Sequence, residues 1–322
     1  MCPWRGSPPS SIDEADRRAR IAAFRFLEQA VLVHGDTLPD RLLRQGFEFE
    51  GQRVPLVSPQ GIFKPAILPD MPLTIRTAPV VEGKRRPYED EVGADGFLIY
   101  RYRGTDPQHP DNVGLRRAMQ RQAPLIYLYG IVPGWYRPVW PVYVQHDDPV
   151  SLAFHVAVDD LTVRPETTDA DATASLAADT GSEVRRRYIT ASTQLRLHQS
   201  AFRMRVLRAY RETCAICRLR HPELLEAAHI VPDRDPRGEP TVANGVSLCV
   251  LHHAAFDRHI VGIRPDYRIE IRTDILEETD GPMLKHGLQG FQGGEIHKPR
   301  RRELWPRRDF LEERFERFRK AG

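Results

Sequence analysis

Apolar and polar residues alternate in two different ways along the first half of the chain. From Ile12 to Val33, apolar residues recur at helical intervals after an acidic start, which predicts an amphipathic helix. Between Phe47 and Asp160, short β-branched or aromatic runs are separated by Pro, Gly and Asp, and a further helix is predicted at Asn112–Gln122. We therefore predict an α+β N-terminal domain over residues 1–161, with helices and a curved, mostly antiparallel, barrel-like sheet.

A change in composition separates this domain from the rest of the chain. Residues 162–183 lack aromatic side chains and are rich in Ala, Thr and Asp, which predicts an interdomain linker because such a segment cannot form a core. A second domain, over residues 184–322, then begins with a basic helix. Four apolar side chains of this helix are predicted to face inward: Leu197, Phe202, Val206 and Tyr210.

Length and composition fit two globular domains. The chain has 322 residues, and a domain takes roughly 150. Hydrophobic residues make up 41% and charged residues 28%, both near the average for globular proteins. No apolar run approaches the ~20 residues that span a bilayer, and the N-terminus lacks the pattern of a signal peptide. We expect a cytoplasmic protein without a membrane partner.

Basic charge is concentrated although the net charge is only +3. Between Val184 and Arg211 there are eight arginines and no Asp or Glu, and the bias returns in the HKPRRR segment from His297 and at Arg307 and Arg308. Such density is expected of a polyanion binder, whereas a solvated helix face is the alternative for a single charge run. The candidates for phosphate contact in this helix are Arg185, Arg186, Arg187, Arg196 and Arg203.

Three cysteines and a histidine have the spacing of metal ligands. Cys214 and Cys217 form a C-x-x-C pair, and Cys249 and His252 form a C-x-x-H pair after 31 intervening residues. Thiolates and one imidazole at this spacing suit a tetrahedral structural Zn²⁺, and three buried free cysteines are the alternative. His253 would point about 100° away from His252 on a helix, so the two could serve different ions.

The same segment carries a second pattern. The run LLEAAHIVP contains His229, and ANGVSLCVLHHAAFD contains Asn244, His253 and Asp257. From about Tyr210 to Ile263 the chain resembles the HNH nuclease family, especially its restriction-endonuclease-like branch. In that branch an AHI strand precedes an NG…LC..HH..FD segment. The resemblance implies a ββα-metal fold for this part, and the N-terminal half resembles that of predicted HNH restriction enzymes.

The resemblance also implies roles for these residues. His229 would be the general base that takes a proton from the attacking water, a task that suits an imidazole with a pKa near 6.5. His253 would bind a divalent ion (Mg²⁺, Mn²⁺ or Ni²⁺), and Asp257 could share it from the same helix face. Asn244 would fix the loop or orient the base. Many relatives have a metal-binding Asp or His directly before the base histidine, whereas this chain has Ala228.

The N-terminal domain contains aromatic and basic residues that could recognise DNA. Arg101, Arg103, His109 and Asn112 could line a DNA-facing loop. A pocket that stacks a flipped or modified base would need aromatic side chains, and ordinary β-core aromatics are the alternative reading. The candidates for that pocket are Tyr100, Tyr102, Tyr127, Trp135 and Tyr136.

Together these patterns predict a metal-dependent HNH DNA endonuclease of restriction type, which hydrolyses phosphodiester bonds after the N-terminal domain recognises its target. The substrate could include modified DNA, and a double-strand cutter with one active site per chain would act as a homodimer. A non-catalytic, zinc-stabilised DNA-binding protein is the alternative, which Ala228 favours. RNA cleavage by the same chemistry is a third hypothesis.

Overall fold

The computed structural model describes residues 13–79, 93, 96–159, 182–233, 235–279 and 281–321, with side chains of the fourth helix described from residue 189. The chain divides into two compact units, residues 1–197 and residues 198–322. The boundary falls within helix α4 (Ser182–Ala209). The predicted linker lies outside the described residues except for its last two, which begin α4.

Unit 1 (residues 1–197) combines helices with a curled sheet. Its other helices are α1 (Glu14–His34), α2 (Asp40–Gln45) and α3 (Pro110–Gln120). Its strands are β1 (Leu38–Pro39), β2 (Phe47–Phe49), β3 (Gln52–Val54), β4 (Ile62–Phe63), β5 (Thr74–Arg76), β6 (Leu98–Arg101), β7 (Leu125–Val132), β8 (Trp135–Asp148) and β9 (Ala153–Val158). The main sheet has the order β4-β5-β7-β8-β9-β6, with β1 also paired to β8.

Strand pairing in this sheet agrees with the predicted fold class. The β5–β7 pair is parallel, whereas the other pairs of the sheet are antiparallel. The sheet curls into a half-barrel, which confirms the predicted curved, barrel-like α+β architecture. Every residue of β7 is buried, as expected for a strand covered on both faces.

Helix α1 is fastened to unit 1 by a buried charge. Arg20 is 1% exposed and forms an ion pair with Asp16 one turn earlier. Its Nη1 also donates to the carbonyls of Pro72 at 3.0 Å and Pro124 at 2.8 Å. Because a buried guanidinium is costly unless its donors are satisfied, these bonds fix where α1 lies against the following segments.

Unit 2 (residues 198–322) contains the predicted ββα element. Strands β10 (Leu225–His229) and β11 (Gly245–Cys249) form an antiparallel hairpin, and helix α5 (Val250–Asp257) follows directly. Downstream elements are β12 (Val261–Ile263), β13 (Ile269–Ile271), α6 (Thr273–Glu277), α7 (Pro282–Gly287) and α8 (Arg308–Ala321). The C-terminal ββα fold is therefore confirmed.

The end of α4 packs against the hairpin. Phe202, Val206 and Tyr210 are all at most 2% exposed, as predicted for this face of the helix. Leu197, the fourth predicted inward residue, is 1% exposed. A Cβ at Gly245 would lie only 2.5 Å from Val206 Cγ2 and 2.8 Å from Phe202 Cζ, so the close approach requires glycine at the start of β11.

Candidate active site and metal centre

Unit 2 brings together a set of four candidate metal ligands, which we call the cysteine centre: Cys214, Cys217, Cys249 and His252. Their ligand atoms all lie within 4.8 Å of one another. Cys217 Sγ is 3.9 Å from Cys249 Sγ, and His252 Nδ1 is 3.6 Å from Cys214 Sγ and 3.1 Å from Cys249 Sγ. Four tetrahedral ligands with Zn–S bonds of about 2.3 Å would be about 3.8 Å apart, so this donor set fits zinc.

A hydrogen bond sets the orientation of the His252 ring. His252 Nε2 lies 2.9 Å from the Gly287 carbonyl, which can only accept, so Nε2 carries the hydrogen and Nδ1 faces the sulfur atoms. Outer partners of this kind fix the tautomer of a ligating histidine. Because Gly287 ends α7, the centre joins the hairpin to a downstream helix.

His229 is the last residue of β10 and lies against α4. Its ring stacks on Phe202, with centroids 3.9 Å apart and an interplanar angle of 17°. Its Nε2 is buried and has no hydrogen-bond partner among the described residues. Burial lowers the pKa of His229; nearby Asp233 and Asp257 oppose this effect, and His253 adds to it. The main-chain carbonyl of His229 also lies 3.5 Å from Arg314 Nη1, and Nη2 of the same side chain donates to Asp257 on α5 at 2.9 Å.

Asn244 is fully buried and holds the loop between β10 and β11. Its Oδ1 accepts from the Val231 amide at 2.9 Å, and its Nδ2 donates to the carbonyls of Val231 at 3.0 Å and Glu239 at 3.1 Å. Its own carbonyl accepts from Ile230 N at 3.0 Å, directly after His229. Both polar atoms of the side chain are therefore hydrogen-bonded to the backbone, which is the geometry of a residue that positions the loop.

His253 lies between two carboxylates. Its Nδ1 contacts Glu226 on β10, and its Nε2 is 3.2 Å from Asp257 Oδ2, four residues later on α5. Hydrogen bonding to Asp257 raises the pKa of His253, and contact with Glu226 adds to the rise. We call the group of His229, Glu226, His253 and Asp257 the histidine centre.

The separation of His253 Nε2 from Asp257 fits two neighbouring ligands of one small ion. Octahedral Mg²⁺ holds its ligands at about 2.1 Å, which puts adjacent ligands about 3 Å apart. Glu226 contacts the opposite ring nitrogen, so the three side chains do not converge on one point. Among the described residues, the cysteine centre alone gathers three or more His, Cys, Asp or Glu ligands within 4.8 Å.

Arg314 on α8 links the end of β10, which carries His229, to Asp257 on α5. Its Nη2 donates to Asp257 Oδ1 at 2.9 Å and to the Phe256 carbonyl at 3.0 Å. Its Nη1 lies 3.5 Å from the His229 carbonyl and 3.4 Å from that of Ile230. The guanidinium is buried, which lowers the pKa of Arg314. One side chain therefore holds both the Asp257 carboxylate and the end of β10.

Sequence reasoning missed Glu226 and Arg314. A single acidic residue inside the apolar LLEAAHI strand was a usable signal for Glu226, because a charge there needs a partner. No local pattern marks Arg314, which lies 85 residues after His229. Ala228 is fully buried within the hydrophobic core of unit 2, and its methyl group supplies no ligand atom.

The predicted DNA-contacting arginines have varied surroundings. Arg203 Nη2 donates to the carbonyls of Pro222 and Leu225 at 2.8 Å, and Arg196 is half-buried on α4. In unit 1, Arg101 donates to Ser151 O at 2.9 Å, and Arg103 pairs with Asp111. The side chains of three others lie outside the described residues: Arg185, Arg186 and Arg187.

One N-terminal expectation is wrong. Asn112 does not line a DNA-facing loop, because it is fully buried at the start of α3. Its side chain accepts from Arg103 N at 2.9 Å and donates to the carbonyls of Arg103 at 3.1 Å and Asp106 at 2.9 Å. His109, by contrast, caps α3 by accepting from Asp111 N at 3.2 Å. Both side chains are therefore hydrogen-bonded to the backbone of this loop and of the start of α3.

Unit 1 contains a cavity of about 500 Å³ beside β5 and β6. Its walls include three of the five predicted pocket aromatics, Tyr100, Tyr102 and Tyr136. The other two, Tyr127 on β7 and Trp135 on β8, do not line the cavity. Arg76 contributes a cation to the wall and lies 5.5 Å from the Tyr136 ring centroid.

Comparison with known proteins agrees with this geometry. Residues 214–264 match the family model described as HNH endonuclease, which confirms the predicted resemblance over this segment. The match spans β10, β11 and α5, so the chain carries an HNH domain in its C-terminal part.

Two further comparisons concern solved structures and curated proteins. A solved structure described as "Modification dependent TagI restriction endonuclease" is 15% identical, with a TM-score of 0.28. The alignment covers 77% of this chain and 82% of that one. A search of the curated proteins finds no match. Among the described residues, no helix has the length and apolar character needed to cross a membrane.

Proposed function

We propose that this protein is a metal-dependent HNH endonuclease that hydrolyses phosphodiester bonds in DNA. The observation that carries the proposal is the histidine centre, in which Arg314 contacts both the His229 carbonyl at the end of β10 and Asp257 of the His253–Asp257 pair. Both histidines and Asp257 belong to the segment that matches the HNH model. These are the groups that hydrolysis of a phosphodiester by a bound ion requires.

His229 acts as the general base. Its Nε2 is buried without a hydrogen-bond partner among the described residues, so we assign Nδ1 as the ring nitrogen that accepts a proton from a water molecule. Burial lowers its pKa, so the ring is neutral and able to accept a proton at neutral pH. Stacking on Phe202 fixes the plane of the ring.

His253 Nε2 and Asp257 would hold the divalent ion, Mg²⁺, Mn²⁺ or Ni²⁺. When bound, such an ion stabilises negative charge on the scissile phosphate and on the leaving 3′ oxygen. Glu226 would orient the His253 ring from its opposite nitrogen, as carboxylates do for ligating histidines. Arg314 would hold Asp257 by its other oxygen. Ala228 leaves water and phosphate oxygens to complete the coordination.

The cysteine centre has a structural role in this proposal. Three sulfur atoms and His252 Nδ1 would occupy all four positions of a tetrahedral Zn²⁺, leaving none for a substrate. The proposal therefore assigns stability to this centre and chemistry to the histidine centre.

Unit 1 would recognise the target. Its cavity falls within the ~300–1,000 Å³ range of small-ligand pockets. Tyrosine rings beside a cation suit the stacking of an unpaired base, which could carry a modification. A homodimer would supply the two active sites that a double-strand break needs.

A cleavage assay tests the proposal. Purified protein is incubated with plasmid DNA, modified or unmodified, and with Mg²⁺, Mn²⁺ or Ni²⁺. We expect nicking or linearisation that depends on the ion and is absent from His229→Ala purified in parallel. DNA binding without cleavage under every condition would instead favour the non-catalytic DNA-binding protein, and cleavage of RNA alone would change the substrate class.

A further inference from the structure

A basic surface lies in unit 2 apart from the residues assigned to catalysis. It is formed by residues 298–308, from the segment before α8 to the first residue of that helix, and we name it the C-terminal basic patch. Its members are Lys298, Arg300, Arg301, Arg302, Arg307 and Arg308. The five arginines are all exposed.

Most of this charge is not neutralised within the protein. Arg307 pairs with Asp309, and Lys298 pairs with Glu295. Among the described residues, no carboxylate lies within ion-pair distance of Arg300, Arg301, Arg302 or Arg308. With Glu303 inside the patch and the partners Glu295 and Asp309, three carboxylates accompany the six cations, so the surface keeps an excess of positive charge.

Aromatic contacts hold the patch in one shape. The Tyr267 and Trp305 rings meet edge to face, with centroids 5.5 Å apart, and Lys298 Nζ lies 4.7 Å and 4.4 Å from them. Trp305 Nε1 donates to the Pro299 carbonyl at 2.7 Å, and the Tyr267 hydroxyl donates to Pro306 O at 3.2 Å. Because the segment is already ordered, binding there would cost little conformational entropy.

The patch is also connected to the histidine centre. Arg307 N donates to Ala243 O at 3.0 Å, next to the loop residue Asn244. Helix α8 begins at Arg308 and contributes Arg314 to the centre six residues later, which is about 9 Å along the helix axis. DNA carries one phosphate charge per ~1.7 Å of duplex axis, so a duplex at the histidine centre would also bring phosphates near the patch.

We propose that the C-terminal basic patch binds the DNA phosphate backbone next to the cleaved bond and fixes the register of the duplex. The proposal rests on the proposed nuclease function, because it takes DNA as the ligand. Arginines that are exposed, unpaired and held on an ordered segment are suited to phosphate contacts, which position the duplex without reading its sequence.

The test is a salt titration of duplex binding by full-length protein, in a His229→Ala background that prevents cutting. Arg301→Gln with Arg302→Gln removes two patch charges. The matched control is Arg319→Gln with Lys320→Gln, which removes two exposed cations at the other end of α8. It also matches the ring contact, since Arg302 lies 5.4 Å from the Trp305 centroid and Arg319 lies 5.7 Å from that of Phe315.

We expect the patch variant to reduce the slope of log affinity against log salt by about 1.8, at about 0.9 per phosphate contact, and the control to leave it unchanged. In the cleaving background, the same patch variant should raise KM with little change in kcat. An unchanged slope and KM, with wild-type protein that still cuts DNA, would overturn the patch proposal and leave the nuclease intact. Wild-type protein that neither binds nor cuts DNA would overturn both.

Discussion

Two histidines that are neighbours in the chain belong to two different kinds of site. His252 faces three sulfur atoms and is 2% exposed, and its outer nitrogen is bonded to a backbone carbonyl. His253 is half-buried and faces carboxylates that are about half exposed. A closed set of soft ligands suits a permanent ion, whereas an accessible nitrogen–oxygen set can take an exchangeable ion and a substrate. Adjacent positions on α5 thus contribute to two ligand sets of different chemistry, to which we assign stability and catalysis.

The largest expected effect is on the cysteine centre. Cys217→Ser should abolish zinc retention and with it the folding of unit 2, because structural zinc sites contribute apparent binding free energies of about 10–16 kcal/mol to folding. Metal analysis and thermal unfolding would measure the two losses. Cys2→Ser, outside the motif, is the control and should keep the ion. Soluble, folded wild-type protein without zinc would contradict the assignment.

The next largest effect is expected at the general base. His229→Ala should slow cleavage by about 100- to 10,000-fold while DNA affinity stays close to that of the wild type, because the loss is in proton transfer. Extra Mn²⁺ should not restore it, whereas it should partly restore His253→Ala. His221→Ala, an exposed histidine of the same unit, is the control. Wild-type cleavage by His229→Ala in matched buffer would assign the activity elsewhere.

A smaller effect is expected at Glu226, which we assign as a residue that positions the metal ligand His253 and does not itself bind the ion. Glu226→Gln keeps the size of the side chain but weakens its hold on the His253 ring. We expect the metal concentration for half-maximal cleavage to rise about 10- to 100-fold, with the rate largely recovered at saturating metal. Glu223→Gln, on the exposed turn before β10, should change neither quantity. An unaltered metal requirement in Glu226→Gln would remove this role.

The smallest effect concerns pH. Because burial lowers the pKa of His229, its neutral form persists below pH 6.5, and protonation removes the base only at more acidic pH. At saturating metal, the acid limb of kcat/KM should therefore have its midpoint below 6.5, and activity should fall as pH falls through it. A midpoint above 6.5 would show that the environment of His229 does not favour the neutral imidazole.

The sequence was most informative where the site is local. His229, His253, Cys249 and His252 lie on the β10–β11 hairpin and the helix that follows it, Asn244 lies in the hairpin loop, and Cys214 and Cys217 lie shortly before β10. Spacing and resemblance were therefore enough to predict the cysteine centre and the grouping of the other residues. Arg314 reaches the centre through tertiary packing of α8, which no spacing rule encodes. For Asn244 the sequence left loop fixing and orientation of the base as alternatives, and the structure adds that its side chain bonds to the loop backbone at Val231.

In unit 1 the sequence predicted the type of fold better than the functional surface. Aromatic residues alternate between the two faces of a strand, so composition could not tell which of them would line a cavity. Tyr100 and Tyr102 line it, whereas Tyr127 lies in the fully buried β7. Asn112 shows the same limit, since an amide beside turn residues can fix a loop as readily as it can contact a ligand.

The bonds that Arg314 makes have a consequence for the nascent chain. The ribosome produces both histidines and Asp257 well before it reaches residue 314, and the stretch that the family model matches already ends at residue 264. Until α8 has been synthesised and has docked, the Asp257 carboxylate lacks its guanidinium partner and the end of β10 is not held. The order of synthesis thus delays assembly of the histidine centre, and a chain that stops short of α8 would keep the residues of the cysteine centre without the guanidinium that holds Asp257 and the end of β10.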